Sequence, residues 1–283
     1  MPTFDTPEPI FALIDIAAGD VRITASDRAD TVVEVRPSDE FDETDVRAAE
    51  QTRIEYAQGK LLVRTPENNT RSLFRWISWS GSIVVTVDLP TGSRVEANAT
   101  ADFHCEGRLG ESTFKTATGN IWLDQTGPLR LNAADGDITV TRSVGRAEVT
   151  TANGDIRIRQ IDGPATIRTA NGGITVGEVT GDLQLNTAYG DITVDRALAS
   201  VNAKTAAGSI RIGEAVRGLV TLETAYGRLE VGVREGTAAW LDVSAPYGSV
   251  RNHLNAADGP EPTDETVEVR ARAYYGDVVI RRS

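Results

Sequence analysis

One cysteine, two histidines and one methionine in 283 residues leave this sequence poor in the side chains of most metal, redox and nucleophilic chemistry. With Cys105 alone, no internal disulfide can form, which fits a reducing compartment. His104 and His253 with that cysteine fall short of an ordinary zinc ligand set, and no cofactor is expected. No run approaches the ~18 consecutive apolar residues that a membrane-spanning helix needs. The start, Met1 to Pro9, lacks the basic and apolar regions of a secretory signal, so the expected location is the cytoplasm. Basic residues are outnumbered by acidic ones, 29 to 41, for a formal charge of -12. That is the wrong sign for a phosphate backbone, and nucleic acid is not an expected partner. The densest charge run, Asp39 to Asp45, reads as a solvated acidic loop.

Glycine is not scarce, and it is spaced. Gly119, Gly136, Gly154, Gly172, Gly190, Gly208, Gly227, Gly248 and Gly276 are separated by 17, 18, 18, 18, 18, 19, 21 and 28 residues. A second series (Gly110, Gly127, Gly145, Gly163, Gly181, Ala199, Gly218) lies nine residues before the first seven. After either glycine, hydrophobic residues recur two and four positions on, as in Ile156/Ile158 and Leu183/Leu185. Such alternation bounded by glycine marks short half-buried strands. Each 18-residue unit is therefore two strands and two turns.

A parallel solenoid and an antiparallel meander both fit that unit. Columns of like residues decide between them. Three before the glycine stand Thr116, Thr151, Thr169, Thr187, Thr205 and Thr224, each followed by alanine, and just before it stand Asn153, Asn171, Tyr189, Ala207, Tyr226, Tyr247 and Tyr275. In-register stacking rewards identical rungs. The expected fold is an all-β parallel solenoid with coils of about 18 residues (9 + 9), forming a single domain over 1–283. Its expected parts are irregular coils over 10–98, with insertions at 37–50 (acidic, able to form a short helix) and 65–80. Regular coils follow over 99–251, then a loop over 252–266 and closing strands over 267–283.

Candidate sites are few. An Asp column (Asp137, Asp155, Asp191) suggests a calcium-stiffened roll, but Gly173, Ser209, Arg228 and Ser249 interrupt it. Those Asp side chains read better as turn-closing groups bonded to nearby backbone N–H. His104 and Cys105 should point to opposite faces of a strand and form no dyad. Carboxylates that could form a glycosidase pair abound (Asp124, Asp137, Asp155, Asp162, Glu148, Glu178), with no pair singled out. Exposed aromatics remain as an interaction surface: Trp76, Trp79, Tyr189, Tyr226, Tyr247 and Tyr275. The tyrosines could also stack on a glycan.

With these motifs in view, the sequence resembles the bacterial "putative adhesin" family of β-strand-repeat proteins. The resemblance rests on Ala-Gly19-Asp-Val-Arg-Ile, Val-Asp-Leu-Pro90-Thr-Gly, the Thr-Ala-x-Gly-Asp-Ile-x-Val repeats and the closing Ala-Tyr-Tyr-Gly276-Asp-Val-Val-Ile. It implies a β-solenoid with no assigned catalytic residues. The expected function is a non-enzymatic scaffold or interaction protein that binds a protein partner or itself. A carbohydrate-binding or carbohydrate-cleaving solenoid is the alternative.

Overall fold

The computed structural model describes residues 1–66, 81–255 and 265–283, in two compact units, Met1–Gly136 and Asp137–Ser283. Both are built of β-coils, and the all-β parallel solenoid expected from the glycine spacing is what the chain forms.

The first unit holds β1 (Thr3–Asp5), β2 (Phe11–Ser26), β3 (Asp30–Pro37), α1 (Glu43–Gln51), β4 (Arg53–Ala57) and β5 (Lys60–Arg64). It continues with β6 (Ile83–Pro90), β7 (Arg94–Arg108), β8 (Ser112–Thr118), β9 (Ile121–Thr126) and β10 (Leu129–Asp135). β2 and β7 are long enough to turn a corner and serve both sheets. The first part of β2 pairs in parallel with β5, the second part with β6, and both parts with β7. The outermost strands run the other way: β4 is antiparallel to β5, β3 to β6, and β1 to β3.

The acidic insertion is more ordered than a solvated loop. Asp42 caps α1, its carboxylate accepting from Thr44 N–H at 2.7 Å. Asp45 is buried, and its carboxylate accepts from the backbone N–H of Ser82 (2.6 Å) and Asp39 (3.1 Å). A buried carboxylate with two backbone donors pins the insertion to the start of β6.

The second unit holds β11 (Ile138–Val144), β12 (Ala147–Asn153), β13 (Ile156–Asp162), β14 (Ala165–Arg168), β15 (Ile174–Val179) and β16 (Leu183–Tyr189). Next come β17 (Ile192–Ala197), β18 (Val201–Ala207), β19 (Ile210–Ala215), β20 (Gly218–Tyr226) and β21 (Leu229–Val233). The last are β22 (Ala238–Ser244), β23 (Val250–Asn252), β24 (Thr266–Tyr275) and β25 (Val278–Arg282). All pairings recorded within this unit are parallel, and positions 18 apart lie opposite one another, as Ile174 does Ile192. The Ile, Val and Leu columns fill the space between the two sheets, as in Ile192, Val194, Ile210 and Ile212, all 0% exposed.

The repeated polar residues are ties between coils. Thr169, Thr187 and Thr205 are buried, and each hydroxyl donates to a glycine carbonyl one coil back: Gly154 (3.3 Å), Gly172 (3.1 Å) and Gly190 (3.2 Å). The Asp column also works between coils, where turn closure was expected. Asp137 accepts from Asp155 N–H, Asp155 from Gly173 N–H and Asp191 from Ser209 N–H, at 2.7–2.8 Å. Gly190 shows why the repeat keeps its glycine. Its φ is +149°, and a Cβ there would lie 2.0 Å from the carbonyl oxygen of Gly172.

One expectation needs correction. The chain's final strands do not close the stack, because β24 lies between β20 and β22, and β25 between β21 and β23. The coil formed by 238–252 is thereby pushed one layer outward. The physical reason lies in parallel pairing. A strand sharing edges with two neighbours satisfies both rows of its backbone groups, and β24 and β25 take that place.

Candidate interaction face on the last coils

The residue before each repeat glycine sits where the strand ends and the chain turns. In register along this corner of the second unit stand Asn153, Asn171, Tyr189, Ala207, Tyr226 and Tyr275. Asn171 Nδ2 donates to Asn153 Oδ1 at 2.8 Å, so the asparagines form a hydrogen-bonded ladder. The tyrosines form an aromatic one. Tyr226 and Tyr275 stack at 5.0 Å between centroids and 8° between planes, and Tyr275 stacks on Tyr247 at 4.9 Å and 20°. Tyr274 meets both Tyr247 and Tyr275 edge-on, at 5.1 and 4.9 Å. Tyr189, Tyr226 and Tyr247 are each 60% or more exposed, and Tyr274 and Tyr275 are 50% and 43%. Single exposed apolar side chains are ordinary, but a contiguous cluster of exposed aromatics is not.

Beside the ladder runs an open groove of about 730 Å³. Its floor includes Ala206 and Ala225, small outward-facing residues, and its polar edge carries Lys204, Glu223 and Arg272. Lys204 Nζ lies 3.0 Å from Glu223 Oε2, and Arg272 lies 4.0 Å from Asp242, so both signs of charge are present and paired. Tyr274 ends the alanine floor as a wall. This residue escaped the sequence reading, although a signal was there: Ala-Tyr-Tyr-Gly276 replaces Thr-Ala-x-Gly, placing a ring in the alanine column. The depth of the alanine column was missed too, because its consequence depends on the larger neighbours to either side.

The stacking changes what the tyrosines can do. Rings stacked face to face along the coils offer solvent their edges and hydroxyls. A glycan lying along the strip would need a run of exposed ring faces, and the Tyr226–Tyr275–Tyr247 stack covers both faces of Tyr275 and one face each of Tyr226 and Tyr247.

The other candidates are dispersed. Trp76 and Trp79 lie outside the described residues. His104 is exposed, stacked on Trp122 at 4.3 Å, with Nε2 3.2 Å from Glu106, while Cys105 on the opposite face is buried. Burial pushes the Cys105 thiol far above its ordinary range, so it is a packing group and not a nucleophile. Of the candidate acids, Asp162 pairs with Arg142 (2.5 Å), Asp155 with Arg157 (2.6 Å) and Glu178 with Arg196 (3.2 Å). Arg146 lies 4.0 Å from Glu148, Asp137 accepts a backbone N–H, and Asp124 is half-buried on β9. Among the described residues no three of His, Cys, Asp and Glu gather at metal-binding range. No helix among them is long and apolar enough to cross a membrane.

No curated protein matches the sequence. Solved structures do. A protein called a "putative adhesin" from Parabacteroides merdae matches with 14% identity over 99% of this chain and 94% of its own, at a TM-score of 0.44. A "putative adhesin" from Parabacteroides distasonis matches with 14% identity over 98% and 95%, at 0.45. A protein from the same species called a "putative lipid binding protein" matches with 14% identity over 100% and 95%, also at 0.45. The pattern of one family runs through residues 13–275, nearly the span over which the repeats suggested a family, and the chain belongs to that family, Toastrack DUF4097.

Proposed function

We infer that this protein is a non-enzymatic interaction module, and that it binds a protein partner through the tyrosine cluster on its last coils and the groove beside it, which Tyr274 walls. One observation carries the reading: Tyr226, Tyr247, Tyr274 and Tyr275 form a mutually stacked, exposed cluster beside a groove of about 730 Å³, held by strands in fixed register. Tyrosine supplies large contact area at low entropic cost, and such rings anchor interfaces. The paired charges at the groove edge suit a polar rim. Asp137, Asp155, Asp162 and Glu178 are tied to arginines or backbone amides, the thiol is buried, and the hydroxyls of Thr169, Thr187 and Thr205 donate to glycine carbonyls. Catalysis has little to work with here.

Photo-crosslinking tests this reading in the cells that make the protein. With p-benzoylphenylalanine at position 274, discrete adducts are expected that a Tyr247→Ala/Tyr275→Ala background removes, while the same group at position 175 on the other sheet gives none. Equal adducts at both positions, or adducts indifferent to the tyrosines, would refute it. Binding on a glycan array that is lost with Tyr226→Ala would instead favour the carbohydrate alternative.

A further inference from the structure

The aromatic ladder has a missing rung. Layer by layer the corner reads Tyr189, Ala207, Tyr226, Tyr275, Tyr247. Adjacent layers are ~4.8 Å apart, so the Tyr189 and Tyr226 backbones stand ~9.6 Å apart across Ala207. The ring of Tyr226 lies within 8° of parallel to Tyr275, which covers one of its faces. The other face looks toward the layer of Ala207, where the side chain is only a methyl group. Tyr226 and Tyr189 are the two rings flanking that layer, and they are 60% and 64% exposed. A flat ring entering over Ala207 would sit ~4.8 Å from each neighbour. That repeats the 5.0 and 4.9 Å spacing of the filled part of the ladder.

We propose that the gap over Ala207 is a ring-accepting slot, and that its occupant is an aromatic side chain presented by the protein partner. This deepens the interaction reading and rests on it. The chemistry favours an aromatic ring over a sugar. The Tyr226 wall is a π face, since that ring lies parallel to Tyr275, and it calls for a flat apolar face on the occupant, whereas a pyranose is thicker and carries hydroxyls around its chair. The groove beside the slot, floored by Ala206 and Ala225 and edged by Lys204 and Glu223, has room for the chain that bears the ring. Filling the rung completes the ladder with a residue supplied in trans.

The test uses the whole chain labelled with 13C at alanine methyls and titrated with N-acetyltryptophanamide. The expected result is a saturable shift of the Ala207 methyl and its neighbour Ala206, with Ala147 and Ala165 unmoved. Tyr226→Leu should weaken the apparent affinity about fivefold to tenfold, the loss of one aromatic contact. Ala207→Tyr, which fills the rung from within, should abolish the shift at Ala206. Methyl β-glucopyranoside should leave all four methyls in place. Non-saturating shifts spread over every exposed alanine, an unaffected Tyr226→Leu variant, or a glucoside response as strong as the amide's would overturn the slot. If Ala207→Tyr keeps the position-274 crosslinks, the slot fails and the interaction face stands. If Tyr247→Ala/Tyr275→Ala also keeps them, the face itself is wrong.

Discussion

In the coils of Met1–Gly136 the outermost strands, β1, β3 and β4, run against their neighbours, and a short helix is pinned beside them. In Asp137–Ser283 the outermost coil, β22 with β23, stays parallel and is held by strands that arrive later in the chain. The two arrangements leave different surfaces. Val33, Leu61 and Val63, in or next to the antiparallel layers, are fully buried. Leu241 and Val243 of β22 are only half-buried, and Val250 of β23 is 45% exposed. Reversing strand direction breaks the repeat where the columns would otherwise run on. Continuing the repeat leaves the last copy of each column short of a neighbour. The exposed tyrosine cluster belongs to that second kind of ending, where the corner column runs out into the outermost coil.

Glycine substitutions should separate the two units most widely. Gly190→Ala should cost about 4 kcal/mol or more, because the new Cβ would collide with the Gly172 carbonyl and φ is +149°. Gly59→Ala, in the β4–β5 turn at φ +75° with open space around it, should cost only about 1–2 kcal/mol. Urea titrations followed by circular dichroism compare the two. A Gly190 variant as stable as the Gly59 variant would mean that the coils are not so closely stacked.

Core truncation should separate the inner coils of the second unit from its outermost one. Ile192→Ala, with coils on both sides, should cost about 2–5 kcal/mol, and Leu241→Ala in the outermost coil less than half as much. Equal losses would mean that something covers β22. Asp45→Ala should cost about 1–3 kcal/mol by leaving the Ser82 and Asp39 amides without their acceptor. Hydrogen exchange should then speed up in α1 and leave the coils of the second unit unchanged. Thr205→Val removes one tie to the Gly190 carbonyl and should cost about 1 kcal/mol.

The smallest effect is that of acid. Bonds from the Ser249 N–H and hydroxyl hold Asp277 below the ordinary carboxylate range, and the Thr44 hydroxyl and N–H do the same for Asp42. A carboxylate with a lowered folded pKa stabilises above its ordinary value, and that contribution fades as pH falls from there through the folded value. Melting temperature should therefore decline below the ordinary carboxylate range, and Asp277→Asn should flatten part of the decline.

How much of this was legible in the sequence follows from how often each contact repeats. The threonine column could be read because successive copies make the same bond to the preceding coil, and the glycine column because successive copies meet the same close backbone approach, so turn after turn of the solenoid rewards the same residue. Asp45 makes bonds that occur once. Nothing in Asp39 to Asp45 separates the one buried acid from its solvated neighbours, so the run read as a loop. The antiparallel direction of β3 was hidden for a related reason, since alternation in Thr31 to Val35 gives a buried face but no direction. The placement of β24 inside the stack left only a trace, the longer glycine spacings of 21 and 28. Tyr189, Tyr226, Tyr247 and Tyr275 were visible as a column. That Tyr226, Tyr275 and Tyr247 stack on one another, while free space lies at Ala207, depends on ring orientation.

The layer order puts Tyr275 directly over Tyr226, and a pair of engineered disulfides measures it. Glu223 and Arg272 are opposite each other on adjacent parallel strands, while Ser244 lies one layer further out. Adjacent layers place Cα atoms at ~4.8 Å, within disulfide range, and two layers at ~9.6 Å do not. Glu223→Cys/Arg272→Cys should oxidise to completion with the fold retained, and Glu223→Cys/Ser244→Cys should stay reduced. The opposite pattern would place β22 next to β20, dismantle the tyrosine ladder and remove the proposed binding face with it.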